Sequence, residues 1–113
     1  MISIRNTLLE NVELAFTFND TDNKAYLRFN KVQINGLLKL LQDEIPILQM
    51  MDLDCCCHVT FLRFNNYIEY KAKAVDGFFF KDMHIGTMCN LEMPDLITNL
   101  KEYVKNGSDS KVE

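Results

Sequence analysis

Residues 55–85 read CCCHVTFLRFNNYIEYKAKAVDGFFFKDMHI, and the fold follows from how this stretch alternates and where it turns. Cys55 to Phe64 has the composition of a strand, Asn65-Asn66 that of a tight turn, and Tyr67 to Val75 that of a second strand. Asp76-Gly77 is a strong hairpin signal, with Phe78 to Ile85 following as a third strand. A two-residue turn at 65–66 sets the first register. Phe61 then faces Tyr70, Val59 faces Ala72 and Cys57 faces Ala74 on an apolar inner face. The outer face pairs Phe64 with Tyr67, Leu62 with Glu69, Thr60 with Lys71 and His58 with Lys73. A turn at Asp76-Gly77 predicts Ala74 opposite Phe79, Tyr70 opposite Met83 and Ile68 opposite Ile85 on the inner face. Outside, it predicts Lys71 opposite Asp82 and Glu69 opposite His84, opposite-charge pairs of ~0.2–1 kcal/mol each. Lys81 falls on the inner face beside Ala72, a place that suits a sheet edge, where its stem lies on apolar surface and its amine reaches water.

Upstream, Val12, Leu14, Phe16 and Phe18 alternate with Glu13, Ala15 and Thr17, the period of a half-buried strand. Asn19 to Asn23 is a polar turn. Ala25, Leu27 and Phe29 form the inner face of a partner strand whose outer face carries Tyr26 and Arg28. Ile2 and Ile4 suit a short edge strand ahead of this hairpin. The period then becomes helical at Ile34, Leu37, Leu38, Leu41 and Ile45, predicting a helix over Gln33–Ile45 that Pro46 ends. Ile47 to Asp54 reads as a connector. Downstream, Gly86 breaks the third meander strand, and Pro94 with Asp95 suits the first turn of a helix over Pro94–Val104. Asn106-Gly107 ends that helix, leaving a flexible polar tail over 106–113.

The expected fold class is therefore α+β: a mostly antiparallel sheet of five to seven strands packed against two helices, in the order ββ(β)α-βββ(β)α, with residues 1–105 as a single domain. Leu14, Phe16, Phe18, Leu27, Phe29, Leu37, Leu38, Leu41, Val59, Phe61, Ile68, Tyr70, Leu96 and Leu100 make up the expected core. The tetrapeptide Leu-Arg-Phe-Asn occurs at 27–30 and again at 62–65. The first copy leads into a helix and the second into a turn, so the match reads as coincidence rather than duplication.

The bulk numbers narrow the classes. The 113 residues fit one core, and 48% apolar with 25% charged residues is the balance of an ordered globular chain. No stretch approaches the ~18 consecutive apolar residues of a membrane helix, and the opening Met1-Ile2-Ser3-Ile4-Arg5 is not a signal peptide. Three of the four cysteines are consecutive, Cys55-Cys56-Cys57, a poor pattern for stapling distant loops. Reduced thiols and a cytoplasmic location are the expectation. The net charge of −4 disfavours bulk attraction to nucleic acid.

No phosphate loop, nucleophile elbow or paired-histidine metal signature occurs, so no catalytic residue and no cofactor are assigned. Cys55-Cys56-Cys57-His58, with His84 and Cys89, holds enough soft ligands for zinc. Alternation along a strand nevertheless splits them between two faces, so no metal site is assigned either. What remains is the outer sheet face, with Phe64, Tyr67, Phe78 and Phe80 beside Lys71 and Lys73, and with Tyr26 and Arg28 on the first hairpin. An exposed aromatic group of that size suits a partner protein, in the manner of a small inhibitor or adaptor of phage or mobile-element type, or a second copy of the chain as a homodimer. The alternative is single-stranded nucleic acid stacked on the rings and held by the lysines.

Overall fold

The computed structural model describes residues 1–7, 10–54, 57–76 and 79–112, and side chains outside 74–82 and 106–112. Three strands open the chain, β1 (Ile2–Thr7), β2 (Asn11–Phe16) and β3 (Ala25–Asn30), followed by helix α1 (Lys31–Leu41). Four more follow, β4 (Ile47–Met51), β5 (His58–Arg63), β6 (Tyr67–Asp76) and β7 (Phe79–Cys89), before helix α2 (Met93–Val112). The α+β class holds, but the single sheet does not. The strands form two antiparallel sheets, β1-β2-β3 and β4-β5-β6-β7. Width explains the division. Seven strands side by side span ~34 Å, whereas two helices cover only ~20 Å. Sheets that present apolar inner faces bury them against each other instead. Phe16 of β2 meets Phe61 and Tyr70 of the other sheet, with ring centroids 6.2 and 5.6 Å away.

Two seams tie the sheets together. At one, the Arg28 amide donates to the buried carboxylate of Asp52 at 2.7 Å, and the Leu53 amide donates to the Arg28 carbonyl at 2.9 Å. At the other, the Asn19 amide donates to the Ile85 carbonyl at 2.8 Å, and the Tyr70 hydroxyl donates to the Thr17 carbonyl at 2.5 Å. Helix α1 packs on β3, β4 and β5, and α2 packs on β1 and on α1. Every member of the expected core is buried except Phe18, which is partly buried at the margin.

Helix α1 starts and ends earlier than Gln33–Ile45. Asn30 caps it through a reciprocal pair: the Gln33 amide donates to Asn30 Oδ1 and the Asn30 amide to Gln33 Oε1, each at 2.9 Å. At the other end Asp43 takes a left-handed φ of 63°. Its amide donates to Leu40 O and the Glu44 amide to Lys39 O, closing the last carbonyls in a Schellman arrangement. Ile47–Met51, expected as a connector, is strand β4, paired to β5 from Ile47–Leu62 to Met51–His58. The helical backbone of α2 continues to Val112, past the Asn106-Gly107 where an end was expected.

The β5–β6 register is as the sequence predicts, from His58–Lys73 to Leu62–Glu69. The β6–β7 register differs. Asp76 pairs with Phe79 and Val75 with Phe80, a displacement of two residues from the register that Asp76-Gly77 implies. One extra residue in β7 then shifts the pairing again, giving Lys73–Met83, Ala72–His84 and Tyr70–Gly86. Tyr70 was expected opposite Met83, so the total displacement is three residues, an odd number that exchanges the faces of β7. Gly86 does not break the strand. A Cβ there would overlap Cε2 of the Tyr70 ring, and would lie 2.5 Å from its Cζ and 2.7 Å from Thr17 O. The core tyrosine therefore selects glycine as its cross-strand partner. The placement of Lys81 lies outside the described side chains.

Candidate functional site

The outer face of the four-stranded sheet is built from alternate residues of each strand. Across the sheet it carries Ile47, Gln49 and Met51 on β4, then His58, Thr60 and Leu62 on β5. Phe64 follows β5, with Tyr67, Glu69, Lys71 and Lys73 on β6 and Met83, Ile85, Thr87 and Cys89 on β7. None of these side chains is buried. Both helices make their buried contacts elsewhere: α1 puts Ile34, Leu37, Leu38, Leu40 and Leu41 into the core, and α2 puts Leu96, Leu100 and Tyr103 there. The described face is therefore open to solvent.

Phe64 and Tyr67 dominate one end. Their rings stack at 4.8 Å with planes 17° apart, and they remain 41% and 37% exposed. The turn between them is braced from behind. The Asn90 amide donates to Asn66 O and its Nδ2 to Asn65 O, both at 3.0 Å, while Arg63 donates to Asn90 Oδ1 at 3.0 Å. The Arg63 side chain is nearly buried, with Asp43 3.8 Å away. The backbone that carries the rings is thus tied to the segments flanking both helices, which lowers the ordering cost of a contact made there.

Lys71 lies on the same face, its amine 3.7 Å from the Glu69 carboxylate. Lys73 is half-buried beside it and is also engaged in an interaction. Phe78 lies outside the described residues. Phe80 belongs to β7, but its side chain lies outside the described set. Tyr26 and Arg28 are not part of this cluster. They occupy the outer face of the three-stranded sheet, where Arg5 lies 4.0 Å over the Tyr26 ring and Arg28 meets Asp54 at 3.4 Å. Arg28 adjoins the His58 end of β5, roughly 20 Å along the strand from Phe64.

The two histidines, both expected outside, separate. His58 stays on the outer face, whereas His84 follows Ala72 to the other side, where Nδ1 meets Asp20 Oδ2 at 3.0 Å. That bond is the main reason the Asp20 carboxyl sits below its usual range. Burial, followed by the nearby Asp52 carboxylate, pushes the Cys57 thiol up, away from nucleophilic character. Cys55 and Cys56 lie outside the described residues.

Ile47, Met51, Met83 and Ile85 belong to the open face and were missed. A signal for the first two was present: Leu48 and Met50 alternate inward against Ile47, Gln49 and Met51. For β7 the signal was a glycine at strand position next to a large aromatic on the neighbouring strand, a known compensating pair in sheets. No family model, curated protein or solved structure matches this chain. Among the described residues no helix is long and apolar enough to cross a membrane.

Proposed function

We propose that this chain is a small non-catalytic protein-binding domain that engages its partner through the outer face of the four-stranded sheet, acting as an inhibitor or adaptor. One observation carries the reading: the stacked Phe64–Tyr67 pair stands in solvent on a rigid turn, continued by Ile47, Leu62, Met83 and Ile85. An apolar sheet face without a covering layer gains free energy when a partner excludes water from it, and centrally placed rigid aromatics are efficient anchors.

The nucleic-acid alternative fits the geometry less well. Stacking platforms offer ring faces to bases, but Phe64 and Tyr67 each use one face on the other. Glu69 stands between Tyr67 and Lys71 and neutralises the lysine that would hold a phosphate. Tyr26 and Arg28 lie on another surface.

A photo-reactive phenylalanine analogue at position 64, with the same group at exposed Val32 as control, tests the reading in the native host. Protein adducts at 64 and not at 32 are expected, with loss of the adduct when Tyr67→Ala is added. Equal yields at both positions, or adducts to nucleic acid, overturn it. A labelled single-stranded oligonucleotide titrated at low and high salt provides the second arm, with salt-sensitive binding being the outcome that favours the alternative.

A further inference from the structure

We infer that the outer face of the four-stranded sheet is self-complementary and pairs with the same face of a second copy of this chain, around a two-fold axis that crosses β6 between Glu69 and Lys71. The inference rests on the protein-binding reading and names its partner.

The charge order along β6 carries the argument. Tyr67, Glu69, Lys71 and Lys73 point to one side at two-residue intervals. Take an axis in the plane of contact, perpendicular to β6 and level with residue 70. Rotation by half a turn sets Glu69 of one copy over Lys71 of the other, twice. It also sets Tyr67 of one copy over Lys73 of the other, so no like charges meet there. The Glu69–Lys71 ion pair of each chain becomes a four-charge cluster in which every charge has opposite neighbours. An axis parallel to β6 and directly over it would instead put Glu69 over Glu69, a like-charge contact that costs free energy. Of the two axes centred on β6, the charges therefore select the perpendicular one. Away from the centre the same rotation places Leu62 over Thr60 and Thr87 over Ile85, with no carboxylate facing a carboxylate. Aligned sheets pack within ~30° of each other, so the central pairs survive the twist.

Size sets the expected strength. Four strands and about six residues of length give a projected area of about 400 Å² per copy. That lies at the small end of specific contacts, those below about 1,200 Å² in total, and predicts a reversible dimer.

Sedimentation of the full chain over roughly 5 to 500 micromolar tests this, a range that covers the dissociation constants of a weak, reversible dimer. Wild type is expected to move from the monomer mass towards twice that mass as concentration rises. Glu69→Lys alone and Lys71→Glu alone are each expected to weaken the dimer roughly ten-fold or more. An equimolar mixture of the two single variants, and the double exchange Glu69→Lys/Lys71→Glu, are both expected to restore it, because complementarity returns. Circular dichroism confirms that each variant is folded, and the restored pairs control for any that is not. A monomer at every concentration overturns the inference, as does a dimer that ignores the charge exchanges. If the chain stays monomeric while position 64 still crosslinks another protein, the second copy is wrong and the protein-binding reading stands. If both fail, that reading fails as well.

Discussion

Gly86 and Tyr70 show how far one contact reaches into this molecule. The tyrosine ring fills the space a β-carbon at position 86 would need, so Gly86→Ala requires the ring, the strand or the Thr17 carbonyl to move. Overpacking of this kind costs about 1–3 kcal/mol or more, and urea denaturation is expected to show a loss at or above that range. The hydroxyl of Tyr70 is held between the Thr17 carbonyl and the Met1 amine, and burial is the main cause of its pKa being pushed up to about 12. A folded-state value above the unfolded ~10 means that folding favours the protonated phenol. The associated stability is fully present below pH ~10 and is lost as pH rises toward ~12. Denaturant midpoints measured from pH 8 to 11 are expected to fall for wild type, and to fall less steeply for Tyr70→Phe.

The two ends of α1 are independent devices, and each has its own test. Asn30 closes the first turn by reciprocal bonds with Gln33, so Asn30→Ala is expected to cost ~1 kcal/mol. Asp43 holds a left-handed conformation at the opposite end, which glycine adopts without steric cost. Asp43→Gly relieves about 1 kcal/mol of left-handed strain against about 0.4–1 kcal/mol of added unfolded-chain entropy. The Asp43 carboxylate lies 3.8 Å from the nearly buried Arg63 guanidinium, so losing it offsets part of that relief. The thermal midpoint is therefore expected to change by the equivalent of about 1 kcal/mol or less. The Asn-x-x-Gln cap is a local pattern, yet a helix start at Gln33 overlooks it, because Asn30 also continues the alternation of β3. The C-terminal end was legible only in part: Pro46 shows only that the helix must stop, and the position of the stop depends on which residue turns left-handed. Strand β4 was hidden for a different reason. Five residues between a proline and an acidic turn carry only a short alternation, which is too little to mark a strand until β5 offers them an edge to pair with.

Across the whole molecule, stability concentrates where the sheets join. Asp52 is buried and accepts the Arg28 amide at the seam. Asp52→Ala leaves that amide without its acceptor and is expected to cost about 1–3 kcal/mol, measured by denaturation. The outer face behaves oppositely. Phe64→Ala and Tyr67→Ala remove side chains that are partly exposed and touch chiefly each other, so the stability change is expected to be about 1 kcal/mol or less. Tyr67→Ala is expected to abolish crosslinking at position 64, and both changes are expected to weaken the dimer. A large loss of stability from either would instead assign the rings to the core.

The tetrapeptide Leu-Arg-Phe-Asn, present at 27–30 and at 62–65, separates what local sequence settles from what the assembled fold settles. In both copies it ends a strand and its asparagine starts the next feature, a helix cap at Asn30 and a turn at Asn65. That much is local: alternation and turn chemistry act over a few bonds, and they also placed the β2–β3 and β5–β6 pairings correctly. Which face is buried was also legible, but only from the whole strand and not from the tetrapeptide. Leu27 and Phe29 lie in the core with Arg28 outside, whereas Leu62 and Phe64 face solvent and Arg63 is nearly buried. Neighbouring Val59 and Phe61 pull the second copy into the opposite phase, because the sheet must bury its more apolar side. The division into two sheets and the exchange of faces along β7 were decided differently. They depend on how Phe16 and Tyr70 fill the space between layers, a packing problem whose terms come from residues far apart in the chain.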